Sequence, residues 1–222
     1  FETGLRFVPG DEGLKQELMI AIAVTGPRAQ ESWSATAQAV DFFDLKGDLE
    51  SLMMLTGQHD SFSFVPGTRD GLHPGQTAVI YFTDQEVGFV GALHPSLQAD
   101  LGLSAPVYVA EVNLSAVRKG RIPEFKELSK FPEIRRDLAI LVDKTVSSKE
   151  ILDDVRRSAG AYLTSLRLFD VSEGKGIDPK QKSLALGLTF RDQSRTLSDD
   201  DVNQALNQVI DSLEKNYKAG LR

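Results

Sequence analysis

At 222 residues, with 41% hydrophobic and 26% charged residues, the chain has the composition of an ordinary soluble globular protein of one or two domains. It contains no cysteine, which excludes disulfides, thiolate metal sites and a cysteine nucleophile together, and no run of 18 apolar residues that would cross a membrane as a helix. The net charge of −7 argues against a polyanionic partner only until it is located: residues 1–123 carry 8 Lys+Arg against 15 Asp+Glu, whereas residues 124–222 carry 17 of each. The acidic excess sits in the first half, and a basic patch in the second stays open. The start, FETGLRFVPG, has neither a basic leader nor an apolar signal core, so a cytoplasmic location is expected. A first residue of Phe suggests a piece of a longer protein.

In chain order, Glu17 to Val24 is a short apolar run bounded by Gly26-Pro27 that suits a buried strand. From Asp41 to Leu55, Phe42, Leu45, Leu49, Leu52 and Met53 recur at helical spacing, and the acids Asp41, Asp44, Asp48 and Glu50 read as a solvated face rather than a metal cluster. Ser61–Val65, Ala78–Thr83 and Val87–Gly91 are short segments separated by Gly, Asp or Pro, the rhythm of an antiparallel sheet. Two His-Pro pairs, His73-Pro74 and His94-Pro95, lack the further ligands of a zinc site and read as turn histidines. No GxSxG elbow surrounds any serine. Pro106–Val112 is a last strand, and 113–128, with Arg118, Lys119 and Arg121 near Pro123, reads as a connection whose basic cluster is equally a phosphate contact or a solvated linker.

The second half opens with SKFPEIRRDLAILVD, residues 129–143. Pro132 biases Phe131 toward extended backbone, and a strand is expected from about Arg136, with Leu138, Ile140 and Val142 on one face and Asp137, Ala139, Leu141 and Asp143 on the other. Ser147 and Glu150 form a capping box that starts a helix with Ile151, Leu152, Val155 and Ala159 inward, stopped by Gly160. Strands follow at 163–172 and 183–192, joined by EGKGIDPKQK, whose GKG lacks the frame of a phosphate loop. A second box, Ser198 with Asp201, starts a helix lined by Val202, Ala205, Leu206, Val209, Ile210 and Leu213, and a short segment near Leu221 is a fourth strand. The order βαββαβ predicts a ferredoxin-like sheet with both helices on one face.

That order leaves the other sheet face uncovered. In 183–192 the core side takes Leu184, Leu186, Leu188 and Phe190, and the open side takes the small residues Ser183, Ala185, Gly187 and Thr189, then Arg191, with Ala139 extending the same surface. Small side chains suit the close approach of a flat partner such as splayed single-stranded RNA; a face covered by the first domain, or simply wetted, is the equal alternative.

The segments SKFPEIRRDLAILVD and LFDVSEGKGIDPKQKSLALGLTFRDQSRTLSDDDV together resemble the ferredoxin-fold anticodon-binding domain that ends the bacterial phenylalanyl-tRNA synthetase β subunit. FETGLRF, DFFDLKGDLESLM, LHPGQTAVIY and GFVGALHPSL are similar to the catalytic-like module preceding it. The resemblance implies an α+β chain: an inactive class II synthetase-like antiparallel module over 1–117, a linker over 118–127, and a ferredoxin-like βαββαβ domain over 128–222. It implies a holoenzyme of two α and two β chains that attaches phenylalanine to tRNA with ATP and Mg2+, the chemistry lying in α and proofreading in a β domain outside this stretch. The residues agree with a silent module, since GFVGALHPSL has no arginine where a class II third motif holds ATP and Arg6 alone does not make a second motif.

No catalytic, metal or cofactor site is therefore expected in this chain. tRNA and the synthetase α subunit are the expected partners, with no membrane and no DNA. Strand alternation nominates Arg135, Arg136, Arg167, Arg191 and Arg195 for phosphate or base-stacking contacts and Ala139, Ser183, Ala185, Gly187 and Thr189 as the platform. Each arginine has a structural ion pair as its alternative, with Asp137, Asp170 and Asp192 available. Two other readings stay open: a ferredoxin-like regulatory module that binds a small ligand such as an amino acid, and a purely structural partner-binding fragment.

Overall fold

The computed structural model describes all residues except 11, 12, 35, 119, 121, 123, 124, 126, 128 and 175. It divides into two compact units, Phe1–Phe125 and Lys126–Arg222. Of the basic cluster expected in the connection, Lys119 and Arg121 lie outside the described residues, as does Pro123, while Arg118 ends a short helix.

The first unit is a six-stranded antiparallel sheet. Its strands are β1 (Glu2–Gly10), β2 (Gly13–Thr25), β3 (Phe62–Pro66), β4 (Leu72–Phe82), β5 (Gln85–Leu93) and β6 (Val107–Asn113), in the order β1-β2-β6-β5-β4-β3. Helix α1 (Phe42–Met54) begins at a capping box in which Asp41 accepts from the Phe43 and Asp44 amides while Asp44 accepts from the Asp41 amide. Two of the acids in the proposed solvated face are thus helix-start caps. Leu45, Leu49 and Met53 pack from α1 onto Ile80, Val90 and Val112, all buried. Two short helices follow, α2 (Pro95–Asp100) and α3 (Leu114–Arg118). His94 caps α2 through Nδ1, which accepts from the Ser96 amide, and His73 Nδ1 accepts from the Gly75 amide, so both histidines serve local turns. Where β5 passes β6, Gly88 is obligatory: a Cβ there would stand 2.2 Å from the Glu111 carbonyl oxygen.

The second unit is a four-stranded antiparallel sheet of β7 (Ile134–Asp143), β8 (Leu163–Ser172), β9 (Gln181–Phe190) and β10 (Gly220–Leu221), in the order β10-β7-β9-β8. Helices α4 (Ser148–Ser158) and α5 (Asp199–Tyr217) start at the capping boxes of Ser147 and Ser198. The pattern is the expected α+β ferredoxin-like arrangement. The core forms where alternation places it: Leu138, Ile140 and Val142 from β7 and Leu184, Leu186, Leu188 and Phe190 from β9 meet Ile151 and Val155 of α4 and Val202, Val209 and Leu213 of α5. Gly160, with φ +75°, ends the α4 segment as a residue free to take the left-handed region must. The helices are clamped by Asp154, a buried carboxylate of α4 that accepts from Ser212 Oγ at 2.8 Å, Asn216 Nδ2 at 3.2 Å and Arg157 Nη2 at 2.9 Å.

Candidate nucleic-acid interface

Both helices of the second unit lie on one side of its sheet, so the residues of β7, β8 and β9 that alternate with the core leucines form the opposite face. Register fixes the neighbours. Arg135 stands opposite Thr189, Asp137 opposite Gly187, and Ala139 opposite Ala185, while on the other side of β9 Arg167 stands opposite Gly187 and Asp170 opposite Ala185.

The small residues of β9 are not a bare floor. The Arg135 guanidinium lies over Gly187, where an added Cβ would meet Nη2 at 3.1 Å. Arg135 Nε donates to Asp137 Oδ1 at 2.9 Å, which holds the side chain across the strand, and the guanidinium reaches Phe169 on β8, 5.8 Å from the ring centroid. Ser183, only 3% exposed, is covered by Arg222, whose Nη1 donates to Ser183 Oγ at 3.1 Å. Ala185 and Thr189 remain half-buried and Ala139 sits beside them, so the accessible centre is Ala139, Ala185, Thr189 and the Arg135–Phe169 pair.

The other nominated arginines divide. Arg167 is exposed and makes no ion pair among the described residues. Arg191, at the end of β9, pairs with Glu133, and its Nε is buried without a hydrogen-bond partner among the described residues. Arg136 does not join the open face. Alternation sends it to the side of Leu138, where its Nη2 donates to Asp199 Oδ1 at 2.6 Å in the first turn of α5. Arg195 belongs to the same helix start: Nη1 and Nη2 donate to the two oxygens of Asp201 at 2.7 and 2.8 Å, and the guanidinium lies 5.8 Å from the Tyr162 ring centroid. That bidentate contact, with help from Ser198, holds the Asp201 carboxyl well below the usual carboxylate range and raises Arg195 above an ordinary arginine. Arg136 and Arg195 therefore brace the start of α5, where carboxylates are favoured by the helix dipole and need cationic partners.

Two residues on this face escaped the sequence reading. Phe169 was accessible to it, because alternation from Leu166 and Leu168 puts Arg167 and Phe169 outward together. Arg222 was not, since a two-residue strand shows no period; its amide donates to the Ala139 carbonyl at 3.0 Å and carries it onto the face.

The first unit offers a contrasting surface. The side of its sheet away from α1 presents Ala21, Ala23, Phe89, Val109 and Glu111 around an open depression of about 460 Å³. Its cations are matched: Arg6 donates to Glu17 at 2.7 Å and to Glu111 at 2.5 Å, and Arg69 pairs with Glu86. Lys15 and Arg6 hold the Glu17 carboxyl below its ordinary range.

Comparison with known proteins agrees with both halves. The family model for the phenylalanyl tRNA synthetase beta chain CLM domain matches residues 1–114, and that for the ferredoxin-fold anticodon binding domain matches residues 129–222. The chain is 54% identical over all its 222 residues to the phenylalanine–tRNA ligase beta subunit of Pseudomonas fluorescens. It is similarly matched over its whole length, at 43% and 41%, to proteins of the same description from Pasteurella multocida and Shewanella oneidensis. It spans 28% of the length of each of these relatives. Among the described residues, no helix is long and apolar enough to cross a membrane.

Proposed function

The chain belongs to the phenylalanyl-tRNA synthetase β-chain family, and from that premise we propose that its second unit holds the anticodon region of tRNA against the open face of the β10-β7-β9-β8 sheet. The first unit serves in this reading as a catalytically silent scaffold and a contact surface for the synthetase α subunit, in a cytoplasmic ligase that uses ATP and Mg2+ elsewhere. The surroundings of Arg6 do not fit a triphosphate: its guanidinium already faces two carboxylates, and an incoming polyanion would be repelled by Glu17 and Glu111.

The observation that carries the reading is the Arg135–Phe169 pair beside the small residues of β9 on the open sheet face. A guanidinium lying over an aromatic ring presents a partly cationic surface against which an unpaired base stacks, and Ala139, Ala185 and Thr189 keep the surroundings low enough for it to reach the sheet. Arg167, which makes no ion pair among the described residues, is placed for the adjoining phosphate. Arg191 flanks the same face through its Glu133 pair, while Ser183 and Gly187 act beneath arginines rather than as direct contacts.

The test is titration of the chain with the anticodon stem-loop of phenylalanine tRNA. Stacking on one aromatic is worth about 1–3 kcal/mol per base, so Phe169→Ala weakens binding about 5- to 150-fold. Wild-type affinity in that variant would overturn the site. ATP–pyrophosphate exchange by the purified chain is expected to be absent, and its appearance would overturn the silent-scaffold half.

A further inference from the structure

We infer that Arg222 is a second phosphate-binding residue and that, with Arg167, it sets a diagonal track for the RNA backbone across the open sheet face; this rests on the proposed RNA-binding reading. The described arginines are mostly committed to carboxylates. Arg118, Arg167 and Arg222 are those with no ion pair among the described residues. Arg118 belongs to the first unit. The other two stand on the same face of the second.

Arg222 is exposed yet held at two points. Its amide donates to the Ala139 carbonyl at 3.0 Å, extending the pairing of β10 with β7, and its Nη1 donates to Ser183 Oγ at 3.1 Å. A neutral hydroxyl occupies one of the five guanidinium donors and leaves the guanidinium without an ion pair among the described residues, while fixing the fork in place before any ligand arrives. Such an arginine loses less rotamer freedom on meeting a phosphate than a solvated one does.

Position supplies the track. Arg167 lies opposite Gly187 on one flank of β9, and Arg222 reaches Ser183 from the other flank, four residues along that strand or roughly 13 Å. Between them lie Ala185 and the Arg135–Phe169 pair. A single strand that touches both cations therefore passes its bases over the stacking surface, and the diagonal fixes its direction across the sheet.

The full chain is titrated with the phenylalanine tRNA anticodon stem-loop over a range of salt concentrations. Arg222→Gln is expected to weaken binding about fivefold at low salt and to make the slope of log affinity against log salt shallower by about 0.7, the loss of one phosphate contact on a single strand. Arg222→Lys keeps the charge and the wild-type slope. Arg167→Gln, whose side chain pairs with no described carboxylate, gives the same change as Arg222→Gln, and Arg136→Ala gives none. An Arg222→Gln chain that binds with the wild-type slope overturns this inference alone. A wild-type chain that does not bind the stem-loop overturns the proposed function, and this inference with it.

Discussion

Each unit folds an antiparallel sheet with its principal helices on one side and leaves the other side open, yet the two open faces are charged in opposite spirit. On the first, Arg6 meets Glu17 and Glu111 and Arg69 meets Glu86, so these arginines already face carboxylates. On the second, Arg135 is turned by Asp137 onto Phe169, while Arg167 and Arg222 make no ion pair among the described residues. Small residues floor both faces, with Ala21 and Ala23 in one and Ala185 and Gly187 in the other. Small residues on an open sheet are common to both faces, so the proposed RNA contact rests instead on the unpaired arginines beside the Arg135–Phe169 pair.

That contrast can be broken by several measurements. The largest effect comes from the cores beneath the faces. Leu186→Ala and Leu49→Ala each remove a fully buried side chain and should each cost about 3 kcal/mol in denaturant unfolding. Only the first should weaken RNA binding, and loss of RNA affinity in the Leu49→Ala chain would mean that the faces are not independent. Next, Glu17→Gln with Glu111→Gln leaves Arg6 unanswered and should steepen the salt slope of RNA binding by up to about 0.7. An unchanged slope would show that ion pairing is not what silences the first face.

Acid offers a subtler comparison. Asp201 has a lowered carboxyl value in the folded chain because of Arg195 and Ser198, so it contributes stability above its unfolded value near pH 4, and that contribution disappears as pH falls through the folded value. Asp201→Asn should therefore destabilise the second unit at pH 7 and converge with wild type in strong acid, as read by urea unfolding at the two pH values. The smallest effect belongs to Arg136→Ala: an exposed pair with Asp199 is worth at most about 1 kcal/mol of stability, and stem-loop affinity should stay within about twofold of wild type.

Much of this was legible from the chain. Ser147 with Glu150 and Ser198 with Asp201 are helix starts that need no tertiary context, and the inward leucines of β7 and β9 follow from a period of two. Strand β1 escaped because nearly all of it is exposed and burial imprints no alternation on it. Arg136 shows a limit of a different kind: alternation already put it beside Leu138, but a double arginine invites both residues to be read as one patch. What no pattern conveys is where long side chains lie down. Gly187 and Ser183 are small positions on an outward strand, and only the folded chain places Arg135 and Arg222 across them.

The register shift in β8 has a consequence for how such a face is altered over time. Pairing with β9 slips between Leu168 and Asp170, so Phe169 is the unpaired extra residue, with Leu168 opposite Leu186 before it and Asp170 opposite Ala185 after it. A deletion of that single codon would splice the two halves of the strand in phase, leaving every inward leucine inward. The proposed stacking surface could thus be lost, or regained, by a one-residue insertion or deletion that leaves the core register in phase, which makes it a removable part of a fold that is otherwise intolerant of slippage.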